Sequence, residues 1–267
     1  MAHALFISHG SPLEALDHSK SALAWQALAS RLPRPTRILI VSAHWTASPL
    51  RLTASKAPET IHDFYGFPAP LYDIRYPAPG EPELAHDIAE HLNACEFEAQ
   101  VDARRGLDHG MWAPLRHLYP EADISTVGLS INARKRPEWH YRLGQQLAGA
   151  LDEETLLISS GSVTHNLADI RGSDPTIAAY VEAFQDWISS HLQTRQDDEL
   201  MHYRDLAPDA QRAHPSDEHL LPLFVTLGAA DASAPERFNP VVADTALAMD
   251  AYLFTRTAGT PSLQRSA

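Results

Sequence analysis

Hydrophobic positions along this chain fall into two alternating patterns. Short, nearly continuous apolar runs occur at Ala4 to Ser8 (ALFIS), Arg37 to Ser42 (RILIVS), Phe97 to Val101, Ile124 to Leu129 and Thr155 to Ser160 (TLLISS). Their length and their turn-forming flanks predict strands. Between them lie longer stretches of mixed composition, Ser21 to Leu32, Pro82 to Asn93, Glu138 to Leu151, Pro175 to Leu192 and Glu218 to Leu227, whose spacing predicts helices. Strands alternating with helices argue for a three-layer α/β/α domain with a largely parallel central sheet. With no repeat and no linker, the reading is one domain over 1–267, with 255–267 a flexible tail. The Pro-, Tyr- and Phe-rich segment Ala54 to Pro79 reads as a loop long enough to be a functional wall or lid.

The ends of these strands direct attention to histidine. ALFIS runs into His9, RILIVS is followed by Ala43 and His44, and TLLISS leads through a short turn to His165. In open parallel sheets ligands bind beyond the carboxyl ends of the strands, so these three imidazoles are expected at one edge. A fourth candidate is His219, at the start of a predicted helix, where Asp217 and Glu218 compete with it because successive helical positions point in different directions. His109, in the tight Leu107-Asp108-His109-Gly110 turn before a predicted helix, is a further site candidate, with Asp108 a possible cap. His62 fits either a pocket lining or an aromatic loop packed on the core. His3, His18, His86, His91, His117, His140, His191 and His202 sit in polar or helical surroundings and are expected at the surface.

Composition sharpens this. The chain has 267 residues and a formal charge of −13, which disfavours a nucleic-acid partner. A single cysteine, Cys95, excludes an internal disulfide and thiolate-rich metal sites, whereas 15 histidines favour a metal held by nitrogen and oxygen. No targeting signal and no membrane-length apolar window is visible, so the expectation is a cytoplasmic protein without membrane association. The Ser160-Gly161-Ser162 turn lacks the spacing of a serine nucleophile elbow, and metalloprotease and nucleotide-binding motifs are missing.

Seven short blocks then occur in a fixed order: SHGSP at Ser8, SAHW at Ser42, HDFYGFP at His62, YPAPG at Tyr76, DHG at Asp108, THNL at Thr164 and HPSDEHLLPL at His214. In that order they resemble the 4,5-DOPA extradiol dioxygenase family of class III ring-cleaving dioxygenases, over residues 8 to 223. The resemblance implies a mononuclear non-haem site with His9, His44 and His219 as metal ligands, His165 as acid–base catalyst and His109 in contact with substrate. It implies one divalent metal per chain, Fe(II) for activity with Zn(II) possible as isolated. The implied reaction is cleavage of a DOPA-like or other substituted catechol by O2 to a semialdehyde, in a monomer or small homo-oligomer. Two other readings share the residues: a zinc-dependent hydrolase with His165 as general base, and an inactive metal-binding protein of the same superfamily.

Overall fold

The computed structural model describes residues 3–16 and 19–255. Its centre is an eight-stranded sheet in the order β4-β3-β5-β2-β6-β1-β10-β7. The strands are β1 His3–Ser8, β2 Arg37–Thr46, β3 Leu50–Thr53, β4 Ala99–Asp102, β5 Ser125–Ile131, β6 Thr155–Gly161, β7 Glu236–Phe238 and β10 Ala251–Thr255, with β8 Val242–Ala243 and β9 Leu247–Ala248 forming a separate small ribbon. The helices are α1 Lys20–Ala29, α2 Pro70–Asp73, α3 Pro82–Ala94, α4 His109–Leu118, α5 Pro137–Ala150, α6 Thr176–Thr194, three short turns α7 Asp197–Met201, α8 Tyr203–Leu206 and α9 Ala210–Ala213, and α10 Leu221–Ala229.

The continuous apolar runs are explained by burial on both faces of the sheet. Alternate residues of one strand enter opposite cores. Ala4, Phe6, Leu39, Val41 and Leu157 pack with α3, α5, α6 and α10, while Leu5, Ile7, Ile38, Ile40 and Ile158 pack with α1 and α4. The result is the expected three-layer α/β/α arrangement. Strands β5, β2, β6 and β1 are mutually parallel. Antiparallel pairings flank them, β3 with β5 on one side and β10 with β1 on the other.

Several boundaries differ from the sequence reading. Strand β3 is only four residues long, too short to register as an alternating run, and β10, which the sequence reading did not anticipate, pairs with β1. Thr255 belongs to β10 and pairs with His3, so it is no part of a tail; residues 256–267 and His18 lie outside the described residues. His219 precedes α10, which starts at Leu221, whereas His109 is already the first residue of α4. His117 and His140 are buried, not superficial. Among the described residues, no helix is long and apolar enough to cross a membrane.

Register sets up the site. Ser42 pairs with both Ser130 and Ser160, and Ser8 pairs with Gly161, so the carboxyl ends of β1, β2, β5 and β6 finish together. The buried hydroxyls there tie down the adjoining loops; the Val163 amide, for example, donates to Ser8 Oγ at 3.2 Å.

Candidate active site

Each strand-end histidine is delivered by a local device. His9 comes directly after β1, its backbone N–H donating to the Gly161 carbonyl at 3.0 Å. His44 lies inside β2, where the pairing with β5 shifts register between Ser42 and Thr46. An irregularity of this kind turns a side chain out of strict alternation, and strand ends beside sites are where it is commonly found. The His44 amide donates to Ser42 Oγ (3.1 Å), and the Ser42 hydroxyl donates to the buried Asp108 carboxylate (2.7 Å). His219 sits in the turn before α10, and its carbonyl accepts from the Ser162 amide at 2.8 Å. That turn crosses the chain after β6 so closely that a Cβ on Gly161 would lie 2.2 Å from the His219 carbonyl oxygen. Only glycine allows this approach.

These devices bring the three imidazoles to one point. The Nε2 atoms of His9 and His44 are 2.9 Å apart, and those of His44 and His219 are 3.3 Å apart. Every Nδ1 faces away toward an oxygen. The Ser160 hydroxyl donates to the Gly110 carbonyl, so at 2.9 Å from His9 its oxygen is left to accept the Nδ1 proton. His219 Nδ1 donates to Glu218 Oε1 at 3.2 Å, and His44 Nδ1 lies 3.6 Å from Asp63 Oδ2. The two hydrogen bonds select the tautomer with the proton on Nδ1 and the lone pair on Nε2 for His9 and His219, and the charge of Asp63 favours the same form of His44. Burial, reinforced by the neighbouring imidazoles, holds His9 and His219 well below the ordinary histidine range. Burial and the adjacent His109 bring His44 down to about 3, against an opposing pull from Asp63. All three are therefore neutral at pH 7.

His165 lies flat on His219, ring centroids 3.4 Å apart and planes 7° from parallel. Its ring nitrogens take no hydrogen bond among the described residues, and its main-chain amide is anchored to the Ala213 carbonyl at 2.8 Å. Burial lowers it to about 4, with Glu218 opposing. His109 completes the group with its ring centroid 4.0 Å from that of His44. Gly110, next in α4, has no room for a side chain: a Cβ there would meet Ser42 Oγ at 2.8 Å and His44 Cδ2 at 3.0 Å.

All five histidines line one cavity of about 810 Å³, walled by Leu13, Phe64, Phe67, Ile170 and Leu247. Its size and its few convergent polar groups suit a small organic molecule. The structure thus brings together His9, His44, His109, His165 and His219. His62 is turned aside, with Nε2 at 3.1 Å from the Ile74 carbonyl. Asp217 is likewise turned away, accepting from Tyr203 Oη (2.6 Å) and paired with Arg204.

A family model described as the catalytic LigB subunit of aromatic ring-opening dioxygenase matches residues 3–251. The chain belongs to this family. A 4,5-DOPA dioxygenase extradiol from Escherichia coli K12 is 39% identical over 236 residues, covering 87% of this chain and 86% of that protein. One of the same name from Beta vulgaris is 41% identical over 231 residues, covering 84% and 85%. A crystal structure of an uncharacterized protein from Escherichia coli K12 superposes with a TM-score of 0.77 at 32% identity, covering 95% of this chain and all of that one. As a LigB-family member the chain is a ring-opening dioxygenase of the extradiol type.

One residue in contact with this histidine cluster escaped sequence reasoning. Asp63 Oδ1 accepts from both the backbone N–H and Nδ1 of His109, each at 2.9 Å, while Oδ2 faces His44. Burial acts to raise this carboxyl, yet the hydrogen bonds and charge of His109 outweigh it and hold it at about 2. Asp63 also takes the role expected of Asp108, accepting a free N–H at the start of α4; Asp108 makes no side-chain cap and is committed to Ser42 and Arg105. The HDFYGFP block contained the signal, but nothing in spacing told which of its residues would reach the site.

Proposed function

We propose that this LigB-family enzyme opens the ring of a catechol, DOPA or a similarly substituted one, using O2 and one divalent metal held by His9, His44 and His219, with Fe(II) as the active metal. The observation that carries the reading is the convergence of three neutral Nε2 lone pairs. With the Nδ1 protons of His9 and His219 engaged by oxygens and that of His44 drawn toward the Asp63 carboxylate, no proton remains to lie between nitrogens 2.9 and 3.3 Å apart. Facing lone pairs at that distance repel, and a cation among them converts the repulsion into three bonds. An all-imidazole set suits Fe(II) or Zn(II) and does not suit Mg(II) or Ca(II). When bound, the metal supplies Lewis acidity toward the catechol oxygens and, as Fe(II), the electron relay to O2 that Zn(II) lacks.

The chain's own residues provide the rest. Phe64, Phe67 and Leu247 exclude water and hold the aromatic ring over the imidazole floor. His109, its Nδ1 fixed by Asp63, presents Nε2 to a catechol oxygen. His165 is neutral and unengaged, so it accepts a proton from a catechol hydroxyl. The negative charge then developing on the substrate stabilises the imidazolium, which returns the proton to oxygen as the ring opens. The carbon–carbon bond beside the diol breaks and both atoms of O2 enter the product, one end becoming an aldehyde and the other a carboxylate.

The test is anaerobic loading with Fe(II), then a panel of catechols in an oxygen electrode with the product's visible absorbance followed in parallel. Oxygen uptake matched one to one with semialdehyde formation is expected, with none in the zinc-loaded protein. Turnover without oxygen uptake would overturn the reading in favour of hydrolysis.

A further inference from the structure

The cavity has a polar floor, apolar walls and a mouth whose charges are unevenly committed. Four charged side chains line or adjoin it besides the histidines: Asp63, Glu218, Asp244 and Arg171. The three carboxylates all have partners. Asp63 is held by His109, Glu218 accepts from His219 Nδ1 and Ser216 Oγ, and Asp244 Oδ1 lies 3.4 Å from Arg171 Nε. Arg171 is the only lysine or arginine among the lining residues. It meets Asp244 through Nε alone; its two terminal nitrogens have no hydrogen bond among the described residues, and its side chain is 71% exposed against 27% for Asp244.

The backbone around Arg171 is unusual in the same place. Arg171, Asp244 and Thr245 adopt left-handed conformations with φ of 57°, 46° and 66°, although none is glycine. Such residues are strained and persist where the surroundings over-determine them, commonly at ligand sites. Here the two turns are cross-tied: the Arg171 amide donates to the Asp244 carbonyl (3.0 Å), and Thr245 Oγ1 donates to the Asp169 carbonyl (3.1 Å). The ties hold a guanidinium at the cavity mouth with one edge anchored and the other open. That edge offers two parallel N–H donors, the geometry that grips a carboxylate bidentately.

We propose that Arg171, steadied by Asp244, is the specificity-determining residue of this enzyme, gripping the carboxylate at the end of the catechol's side chain. The aromatic ring occupies the floor and the aliphatic part of the side chain runs along Leu13, Ile170 and Leu247. The carboxylate reaches the mouth. Neutral alkylcatechols and catechols bearing only an ammonium lack the group that Arg171 reads. The assignment rests on the catechol reading of the histidine floor.

Binding to the zinc-loaded protein tests it, because that form takes no oxidative step and affinity is measured without turnover. Titration calorimetry compares 3-(3,4-dihydroxyphenyl)propionate with 4-ethylcatechol and dopamine. The propionate is expected to bind about tenfold more tightly than either, and this preference is expected to shrink as salt rises from low to near-molar concentration. Arg171→Gln is expected to bring the three Kd values to within about twofold of one another, with measurable 4-ethylcatechol binding reporting a folded ring site. A wild-type protein that binds all three equally, or a variant that keeps the preference, overturns the assignment and leaves the catechol reading standing. Failure of the wild type to bind any of them overturns both.

Discussion

Two sets of buried histidines share this fold, and they differ in what their nitrogens face. In the first set, His9, His44 and His219, each Nδ1 faces a side-chain oxygen and each Nε2 faces the other two imidazoles. In the second set the main chain takes the nitrogens instead, both of those of His140 and one of those of His214, whose Nδ1 is buried without a partner among the described residues. His140 Nδ1 donates to the Arg136 carbonyl (3.0 Å) and its Nε2 accepts from the Asn132 amide (3.3 Å), while His214 Nε2 donates to the Val163 carbonyl (2.8 Å). Burial lowers both sets; His140 and His214 are brought to about 4, much as His44 is brought to about 3. Burial and low pKa therefore do not separate a site histidine from a structural one. The direction of the lone pair does.

Removing one member of each set should break the two apart. His44→Ala is expected to abolish stoichiometric metal binding and reduce ring cleavage to background, with thermal stability of the metal-free protein nearly unchanged. His140→Ala leaves the buried Asn132 amide unpaired and opens a cavity, costing about 3 kcal/mol by denaturant titration, while metal content per folded chain stays near one. Equal metal loss in both variants, measured by elemental analysis, would erase the distinction.

The next comparison lies inside the site. His165 is stacked on a proposed metal-holding imidazole but has unengaged nitrogens, so its loss removes proton transfer and spares the ion. His165→Ala is expected to lower kcat by about 10²- to 10⁴-fold with metal content intact. Metal loss matching that of His44→Ala would reassign it to the ligand set. Asp63→Asn should have a smaller effect, because it weakens the support of His44 and His109 without deleting either. A metal affinity lower by about 10- to 100-fold is expected, read by chelator competition, with the Glu variant recovering part of it. An unchanged affinity would show that Asp63 serves α4 alone.

The same geometry explains how far these distinctions were legible in the amino-acid sequence. His9, His44 and His165 were visible because parallel strands of like register must deliver their carboxyl-end residues to one edge, and that is a property of the chain pattern. His219 was visible as a candidate, but its placement in the turn before α10 depends on Leu221 and Pro222 starting the helix; Asp217 left the competition only because Tyr203 and Arg204 draw it away, while Glu218 stays at the cavity beside His219. Asp63 was not legible. It reaches α4 because the chain around Thr60 bridges Leu107, with the Ile61 amide donating to the Leu107 carbonyl at 2.8 Å, a contact between segments some 46 residues apart that leaves no local periodicity. His117 and His140 were misjudged for a related reason. Helical spacing shows which face a residue occupies, and the face becomes buried only when a second element covers it, as the carbonyl of Glu14 does for His117 (2.9 Å) and the Asn132 amide does for His140.

The smallest expected effect concerns what the second set contributes alone. Above pH about 6.5, the ordinary histidine value, His140 and His214 are neutral whether the chain is folded or unfolded, and stability does not depend on them. Between about 6.5 and about 4 the unfolded chain binds a proton at each that the folded chain refuses, so stability falls as pH falls, and the loss is complete once the folded pKa is passed. Mid-window the two together give a slope of about 2.8 kcal/mol per pH unit, from about 1.4 kcal/mol per proton. Urea titrations of the metal-free protein at pH 7 and pH 5 should therefore show a marked acid loss. His140→Gln should flatten it by one proton's share, because glutamine keeps hydrogen-bonding capacity at that position and cannot titrate. A variant with the full wild-type slope would mean that His140 is protonated in the folded state, in which case the donation from the Asn132 amide to its Nε2, and with it the contrast in lone-pair direction between the two sets, would be wrong.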